Sequence, residues 1–190
     1  MGSLKPALSM VLCLALAALL SSCASFQNRP RQIAETVSLA QEQVARGEYR
    51  SALALYAAAD DRFDHDPALQ HQYVRTGDRI RSVADAAFQR ERFSQAGGIY
   101  RVLLESGITG RSFQEPLSFD AVYLRNKIGS CSNALMELGL VKYREQDLDK
   151  AFSIWSKALE FDPGNKAITK ALQTTGKQRQ KLKNIGSTPK

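Results

Sequence analysis

Residues 135–163 read LMELGLVKYREQDLDKAFSIWSKALEFDP, and this stretch decides the fold. It has small residues, Gly139 and Ala151, where two neighbouring helices can approach closely, and Trp155 can fill the space beside them. Pro163 ends the second helix, because proline lacks a backbone donor and disfavours helical geometry in the residue before it. The stretch therefore predicts a helix–turn–helix unit.

The same stretch resembles the tetratricopeptide repeat (TPR), a helix–turn–helix unit of about 34 residues with Leu-Gly, Ala-x3-aromatic and a later Pro. The residues that carry the resemblance are Leu138, Gly139, Ala151, Trp155, Ala158 and Pro163. Leu135 stands where the pattern prefers Trp, and Lys142 where it prefers Tyr. A single repeat cannot bury its own apolar face, so we expect further copies.

Two weaker copies of its second helix precede this unit. All three share the spacing apolar-x2-Ala-x3-aromatic-x2-small or apolar, which we call the ruler. The matching positions are Tyr49, Ala52, Tyr56 and Ala59; Phe93, Ala96, Tyr100 and Leu103; and Leu148, Ala151, Trp155 and Ala158. The three alanines of the ruler are 44 and 55 positions apart, so lengthened helices or insertions must account for the excess. We predict an all-α, TPR-like stack of three antiparallel helical hairpins plus a C-terminal capping helix. A generic helical bundle is the alternative.

The amino-terminal residues resemble a bacterial lipoprotein signal. The apolar run 7–20 is shorter than the ~20 residues of a membrane span, and LSSC, ending at Cys23, resembles a lipobox. The resemblance implies cleavage after residue 22 and acylation of Cys23, palmitate included; an ordinary secretory signal is the alternative. Ala24 replaces the Asp that retains enterobacterial lipoproteins at the inner membrane. We therefore expect an outer membrane lipid anchor on the periplasmic face of a Gram-negative-type bacterium.

The remaining chain divides into a tether and one helical domain. We assign residues 1–22 to the signal peptide, 23–32 to the lipidated Cys and tether, 33–184 to the domain and 185–190 to a frayed basic tail. Helices are predicted at 33–46, 48–63, 66–90, 93–105, 118–145, 147–161 and 165–184. Phe113 lies in the loop 106–117, either exposed as a partner contact or folded back onto the body. Gly97 and Gly98 inside a helix indicate close approach by a neighbour or a bend.

Cysteine and charge limit the function. Once the signal is removed and Cys23 is acylated, only Cys131 remains, so an intramolecular disulfide is excluded. We interpret Cys131 as a small apolar packing residue, with a reactive thiol as the alternative. The net charge of +7 includes Lys5 and seven bases after residue 165, where there is no acid. Residues 23–165 therefore hold 18 bases against 19 acids, and the basicity belongs to the C-terminal end.

The basic C-terminal segment has two interpretations. It carries Lys177, Arg179, Lys181 and Lys183. These cations could attract anionic headgroups or an acidic partner. Alternatively, the segment is a solvated cap whose cations are favourably placed near a helix C-terminus.

The sequence contains no catalytic motif. Its one cluster of ligand-type residues, Asp64, His65, Asp66 and His71, falls at a helix–helix turn, where capping Asp residues are expected. No nucleophile elbow and no HExxH motif occurs. We therefore predict no enzymatic activity, no cofactor and no metal.

The resemblance to TPR proteins implies a concave groove that binds a peptide or a partner helix. The groove candidates are Arg81, Asp85, Phe88, Met136, Leu140 and Tyr143. We predict a lipid-anchored periplasmic adaptor or scaffold for a protein partner in envelope assembly or secretion, similar in plan to pilotins and to the TPR lipoprotein of the barrel-assembly machinery. The alternative is a peptidoglycan-associated regulator that recruits a cell-wall enzyme. Nucleic acid is not expected as a partner, and the oligomeric state is left open.

Overall fold

The computed structural model describes residues 28–186, and every regular element within them is a helix. The first helix, α1, covers residues 28–45. It is followed by α2 (Tyr49–Arg62), α3 (Pro67–Gln89), α4 (Phe93–Glu105), α5 (Ala121–Arg144), α6 (Leu148–Phe161) and α7 (Lys166–Gly186), with one turn of 3-10 helix at Ile108–Gly110. The all-α prediction is confirmed. The predicted signal peptide, Cys23 and the last four residues of the predicted tail lie outside the described range.

Capping residues set several helix boundaries. Asp66 accepts hydrogen bonds from the backbone N–H groups of Ala68 and Leu69, and Pro67 opens α3, as the sequence predicts. Asp147 caps α6 by accepting from the Lys150 N–H at 3.2 Å. Three residues of the predicted fifth helix, 118–120, lie outside α5, because the Asp120 side chain caps it.

Three turns close with the same backbone geometry. Gly47, Glu91 and Gln146 all adopt positive φ, at 78°, 58° and 62°. In each turn, the backbone N–H of the following residue donates to the carbonyl five residues earlier, at 2.9 Å. The pairs are Glu48→Gln43, Arg92→Ala87 and Asp147→Lys142. This is the closure of a Schellman motif. The turns are 44 and 55 positions apart, which are also the spacings of the three alanines of the ruler. The sequence pattern and the backbone turns therefore repeat together.

The core follows the same ruler. Ala52, Ala96 and Ala151 are completely buried, and the aromatic residue of each copy is buried four positions later. Trp155 lies against Gly139, where a Cβ atom would overlap the indole, and its Nε1 donates to the Met136 carbonyl at 3.1 Å. Close contact between small residues and a large ring therefore joins α5 to α6. From α2 onward, each helix packs on its neighbour along the chain, and contacts between α2 and α4 and between α4 and α6 link successive pairs.

Helix α5 is displaced along α3. The Ser118 hydroxyl, just before α5, donates to Asp78 at 2.6 Å, and the Tyr123 hydroxyl donates to Asp85 at 2.6 Å. One turn later, Lys127 Nζ lies 4.6 Å from the centre of the Phe88 ring. The two helices therefore run in the same direction, with α5 beginning beside the middle of α3. Residues 128–144 continue about 25 Å further, past the end of α3.

The connection between α4 and α5 is folded onto α3. Ile108 is fully buried, with its side chain against Gly77. Phe113 packs edge-on against Tyr73 at 5.3 Å between ring centres, so it is folded back onto the body. Arg111 donates to the buried carboxylate of Asp60 at 3.0 Å. These contacts fix residues 106–120 and with them the starting point of α5.

The adjacent residues Gly97 and Gly98 test the packing of α4 on α6. A Cβ atom at Gly97 would lie 2.5 Å from the buried Phe161 ring, whereas one at Gly98 would meet open space. We expect Gly97→Ala to lower the free energy of unfolding by about 1–3 kcal/mol, because the ring has no room to move. Gly98→Ala should instead raise it by up to about 1 kcal/mol through helix propensity. Urea denaturation of both variants measures the difference, and equal effects would contradict this packing.

Candidate functional site

Asp85 lies where α3, α4 and α5 meet. One carboxylate oxygen accepts hydrogen bonds from the hydroxyls of Tyr100, at 2.5 Å, and Tyr123, at 2.6 Å. The other oxygen forms an ion pair with Arg81, one turn earlier on α3. Both carboxylate oxygens are therefore engaged inside the fold, and Asp85 connects three helices.

The same contacts determine the ionisation of the cluster. Burial opposes the charge on Asp85, but the hydroxyl donations from Tyr100 and Tyr123 and the nearby Arg81 outweigh it and hold the pKa of Asp85 below its ordinary 3.8. Burial, together with the Asp85 carboxylate, raises the pKa of Tyr100 and of Tyr123. At neutral pH the carboxylate is therefore ionised and both phenols keep the protons that they donate to it.

The predicted groove positions on α3 are covered by the first half of α5. Phe88 packs edge-on against Phe93, at 5.4 Å between ring centres. The ammonium group of Lys127, on α5, lies over the Phe88 ring. Asp85 and Arg81 are bonded to each other, and only about a quarter of each side chain is exposed. All three residues thus have structural contacts, and their role in binding a partner stays a prediction.

The predicted groove positions on α5 lie elsewhere. Met136, Leu140 and Tyr143 are partly buried and pack against the core. The Tyr143 hydroxyl donates to Gln178 of α7 at 2.7 Å, and its ring centre is 6.1 Å from that of Trp155. Because α5 is displaced, these residues are beside α6 and α7 and are not brought together with the α3 positions. The sequence alignment placed both sets in one groove.

The second half of α5 presents an exposed apolar face that the sequence analysis missed. Leu138 is 47% exposed and Val141 is 45% exposed, one turn apart on the same side of the helix. At 100° per residue they lie on the flank of α5 opposite to the one that carries Tyr143 and contacts α7. The exposure of this flank depends on where α5 lies relative to α3, which the sequence pattern does not show.

The predicted basic residues all belong to α7 but differ in environment. Arg179 pairs with Asp149 at 2.5 Å and lies over the Phe152 ring at 4.7 Å, so it helps to hold α7 on α6. Lys177 and Lys181 are exposed, and no ion pair within the described range includes them. Lys183 is exposed as well but makes contacts of its own. Arg179 is therefore structural, which leaves the lysines as candidates for an external partner.

The histidines of the predicted turn cluster contact carboxylates instead of one another. His65 Nδ1 lies 3.0 Å from Asp60, and His71 Nδ1 lies 2.9 Å from Glu115. Asp66 caps α3, and Asp64 occupies a positive-φ turn position. Among residues 28–186, no group of three or more His, Cys, Asp or Glu side chains is arranged to hold a metal ion.

Cys131 is completely buried on α5. Burial raises the pKa of its thiol to about 12, so the thiolate is scarcely populated at neutral pH. This environment fits the packing role predicted for Cys131 and opposes the reactive alternative.

Comparisons with known proteins do not assign a class. No protein-family model matches the chain, and no match was found among curated proteins. In the part of the chain that the structure describes, no helix is both long and apolar enough to span a bilayer. The candidate site therefore depends on the geometry of α5 and α7.

The Asp85 cluster predicts a pH dependence of stability. A carboxyl whose pKa is depressed by folding stabilises the protein above its unfolded-state pKa, near 3.8, and this contribution disappears as the pH falls through the folded-state pKa. We expect Asp85→Asn to lower the free energy of unfolding by about 1–3 kcal/mol at pH 6. The difference from the unaltered protein should shrink below about pH 4.

Urea denaturation of both proteins between pH 3 and pH 6 measures this difference, because the other carboxylates are common to both. Tyr123→Phe, which removes one donor, serves as the control and should weaken the pH dependence without abolishing it. A difference that is the same at pH 3 and pH 6 would show that Asp85 is not held ionised by these contacts.

Proposed function

We propose that this chain is a lipid-anchored periplasmic adaptor whose TPR-like stack of helical hairpins binds a protein partner in envelope assembly or secretion. The observation that carries the proposal is the exposed pair Leu138 and Val141 on the half of α5 that extends past α3. Leu138 belongs to the packing pattern of the repeat, yet nearly half of its side chain is accessible. An apolar packing position that residues 28–186 leave uncovered fits a role in packing against another protein.

The repeat interpretation is supported by the backbone as well as by the sequence. The three closing turns share one hydrogen-bonding pattern, and the small residues of the ruler lie between neighbouring helices. The unequal spacing is taken up by the two long helices, α3 and α5, and by residues 106–120. A TPR-like stack with one displaced hairpin accounts for all of these features.

The shape of the exposed face favours a helical partner. Leu138 and Val141 form a narrow apolar strip beside the charged residues Glu137 and Arg144, both exposed. An amphipathic helix can lay apolar residues at spacings of three and four along such a strip while its polar flanks meet the charges. The partner surface then completes the packing that a preceding hairpin would otherwise provide.

Site-specific crosslinking in cells tests the adaptor function. A photoreactive residue at Val141 should capture a partner protein, whereas one at Glu160, an exposed position on α6, should not. Leu138→Glu should lower the yield at Val141 about tenfold or more, since a charge is placed in an apolar contact. The exposed position leaves the fold intact, which urea denaturation verifies.

A second pair of substitutions distinguishes the Leu138 face from the predicted groove as the place where the partner binds. Met136→Glu with Leu140→Glu changes the opposite flank of α5, where both side chains pack against the core, so this control is compared with Leu138→Glu only after urea denaturation shows that it is folded. If capture at Val141 is lost only in this control, the partner occupies the predicted groove instead. A crosslink that survives Leu138→Glu unchanged would overturn the assignment of the exposed face.

Acylation at Cys23 is tested separately. Cells fed a labelled palmitate analogue should incorporate it into the unaltered chain and not into Cys23→Ala, because the thiol is the predicted attachment point. In the lipoprotein interpretation, Cys23→Ala should also leave the membrane fraction, since one or more acyl chains supply the affinity for the bilayer. Equal labelling of both chains would contradict the anchor.

A further inference from the structure

Helix α7 carries a stripe of lysines on its solvent side. The stripe consists of Lys166, Lys170, Lys177 and Lys181, all exposed, and no ion pair in the described part of the chain includes them. At 100° per residue these positions lie within an arc of about 60°, opposite the buried Ile168 and Thr175. The stripe is about 22 Å long.

No carboxylate interrupts this stripe. Helix α7 contains no Asp or Glu, and the other exposed residues on the same side are neutral, such as Gln173 and Gln180. Asp149 of α6 is engaged by Arg179, on the side of α7 that faces α6. The lysine side of α7 therefore presents positive charge alone.

The helix dipole does not account for the stripe. Cations are favourable near the C-terminus of a helix and unfavourable near its N-terminus. Lys166 is the first residue of α7, and Lys170 follows one turn later, so both lie at the unfavourable end. The solvated-cap interpretation explains the last lysines of the stripe but not the first two.

The form of the stripe favours an extended anionic surface. Lysines act as separate point charges and lack the planar fork of arginine that fits a single phosphate. Charges spread along one straight side of a helix do not converge on a pocket. They can, however, each approach a different headgroup of a flat bilayer, at about 1 kcal/mol for each basic residue near the surface.

We propose that the lysine stripe of α7 docks onto the anionic phospholipid surface of the membrane that anchors the chain, so that α7 lies along the bilayer. The choice of a membrane rests on the proposed lipid anchor, which would keep the stripe close to headgroups. Docking orients the domain: α7 faces the lipid, and the Leu138 flank of α5, on the side away from α7, remains open to a partner.

The test uses the full chain with a fluorescent amino acid in place of Gln173, in the middle of the stripe. The chain is mixed with vesicles that carry a headgroup-attached quencher, made either of neutral phosphatidylcholine or with about a third phosphatidylglycerol. We expect strong quenching on the anionic vesicles at low salt, and little on the neutral ones or at high salt. The same fluorophore in place of Glu160 should not respond.

Charge variants identify the residues. Lys170→Gln with Lys177→Gln should lower the ratio of docked to undocked chain by about fivefold for each lysine. Lys142→Gln with Lys150→Gln makes the same change in net charge outside the lysine stripe, at residues of α5 and α6, and should have no such effect. Quenching that is equal on neutral and anionic vesicles, or equal in the two variants, would overturn the proposal and leave an acidic protein or wall polymer as the partner of the stripe.

Flotation of the same mixtures separates this inference from the proposed function. Comparison of the unaltered chain with Cys23→Ala on neutral vesicles reports the lipid anchor alone. A chain that lacks the anchor but shows charge-dependent quenching at Gln173 would refute the anchor and retain the stripe. An anchored chain without that quenching would refute the stripe and retain the anchor.

Discussion

The carboxylate of Asp85 is the constraint on which the arrangement of the molecule depends. By accepting hydrogen bonds from tyrosines on α4 and α5, it fixes the beginning of α5 beside the second half of α3. A continuous helix of 24 residues must then extend past the end of α3. The exposed apolar flank, the place of α6 and the direction of α7 all follow from that displacement. A partly buried carboxylate can help to define such a register because any other register of α5 would cost it the hydrogen bond from Tyr123.

Most of the secondary structure could be predicted from local chemistry. The ruler of small and aromatic residues located the second helix of each pair, and the capping Asp expected at the turn before α3 is Asp66. These signals act over a few neighbouring residues, so they are visible in the sequence. Leu182, by contrast, follows the helical spacing of the buried side of α7 but is 55% exposed.

The relative position of the helix pairs could not be predicted. The alignment assumed that equivalent positions on α3 and α5 face one groove, whereas Tyr123 meets Asp85 far from its aligned counterpart Leu140. Register between pairs depends on long-range contacts, such as those of Asp60 with Arg111 and of Phe113 with Tyr73, that no local pattern encodes. The candidate site was therefore missed for the same reason: the exposure of Leu138 is a property of the displacement.

The three matching turns have a consequence for how this chain can change in evolution. Because each closure is made by backbone groups within six residues, it tolerates different side chains, as the glycine in the first turn and the Glu and Gln in the later two illustrate. Insertions and deletions can then accumulate between closures, above all in residues 106–120, without disturbing the helix pairs themselves. Relatives with a shorter or longer segment there would shift α5 along α3 and so enlarge, reduce or close the uncovered flank.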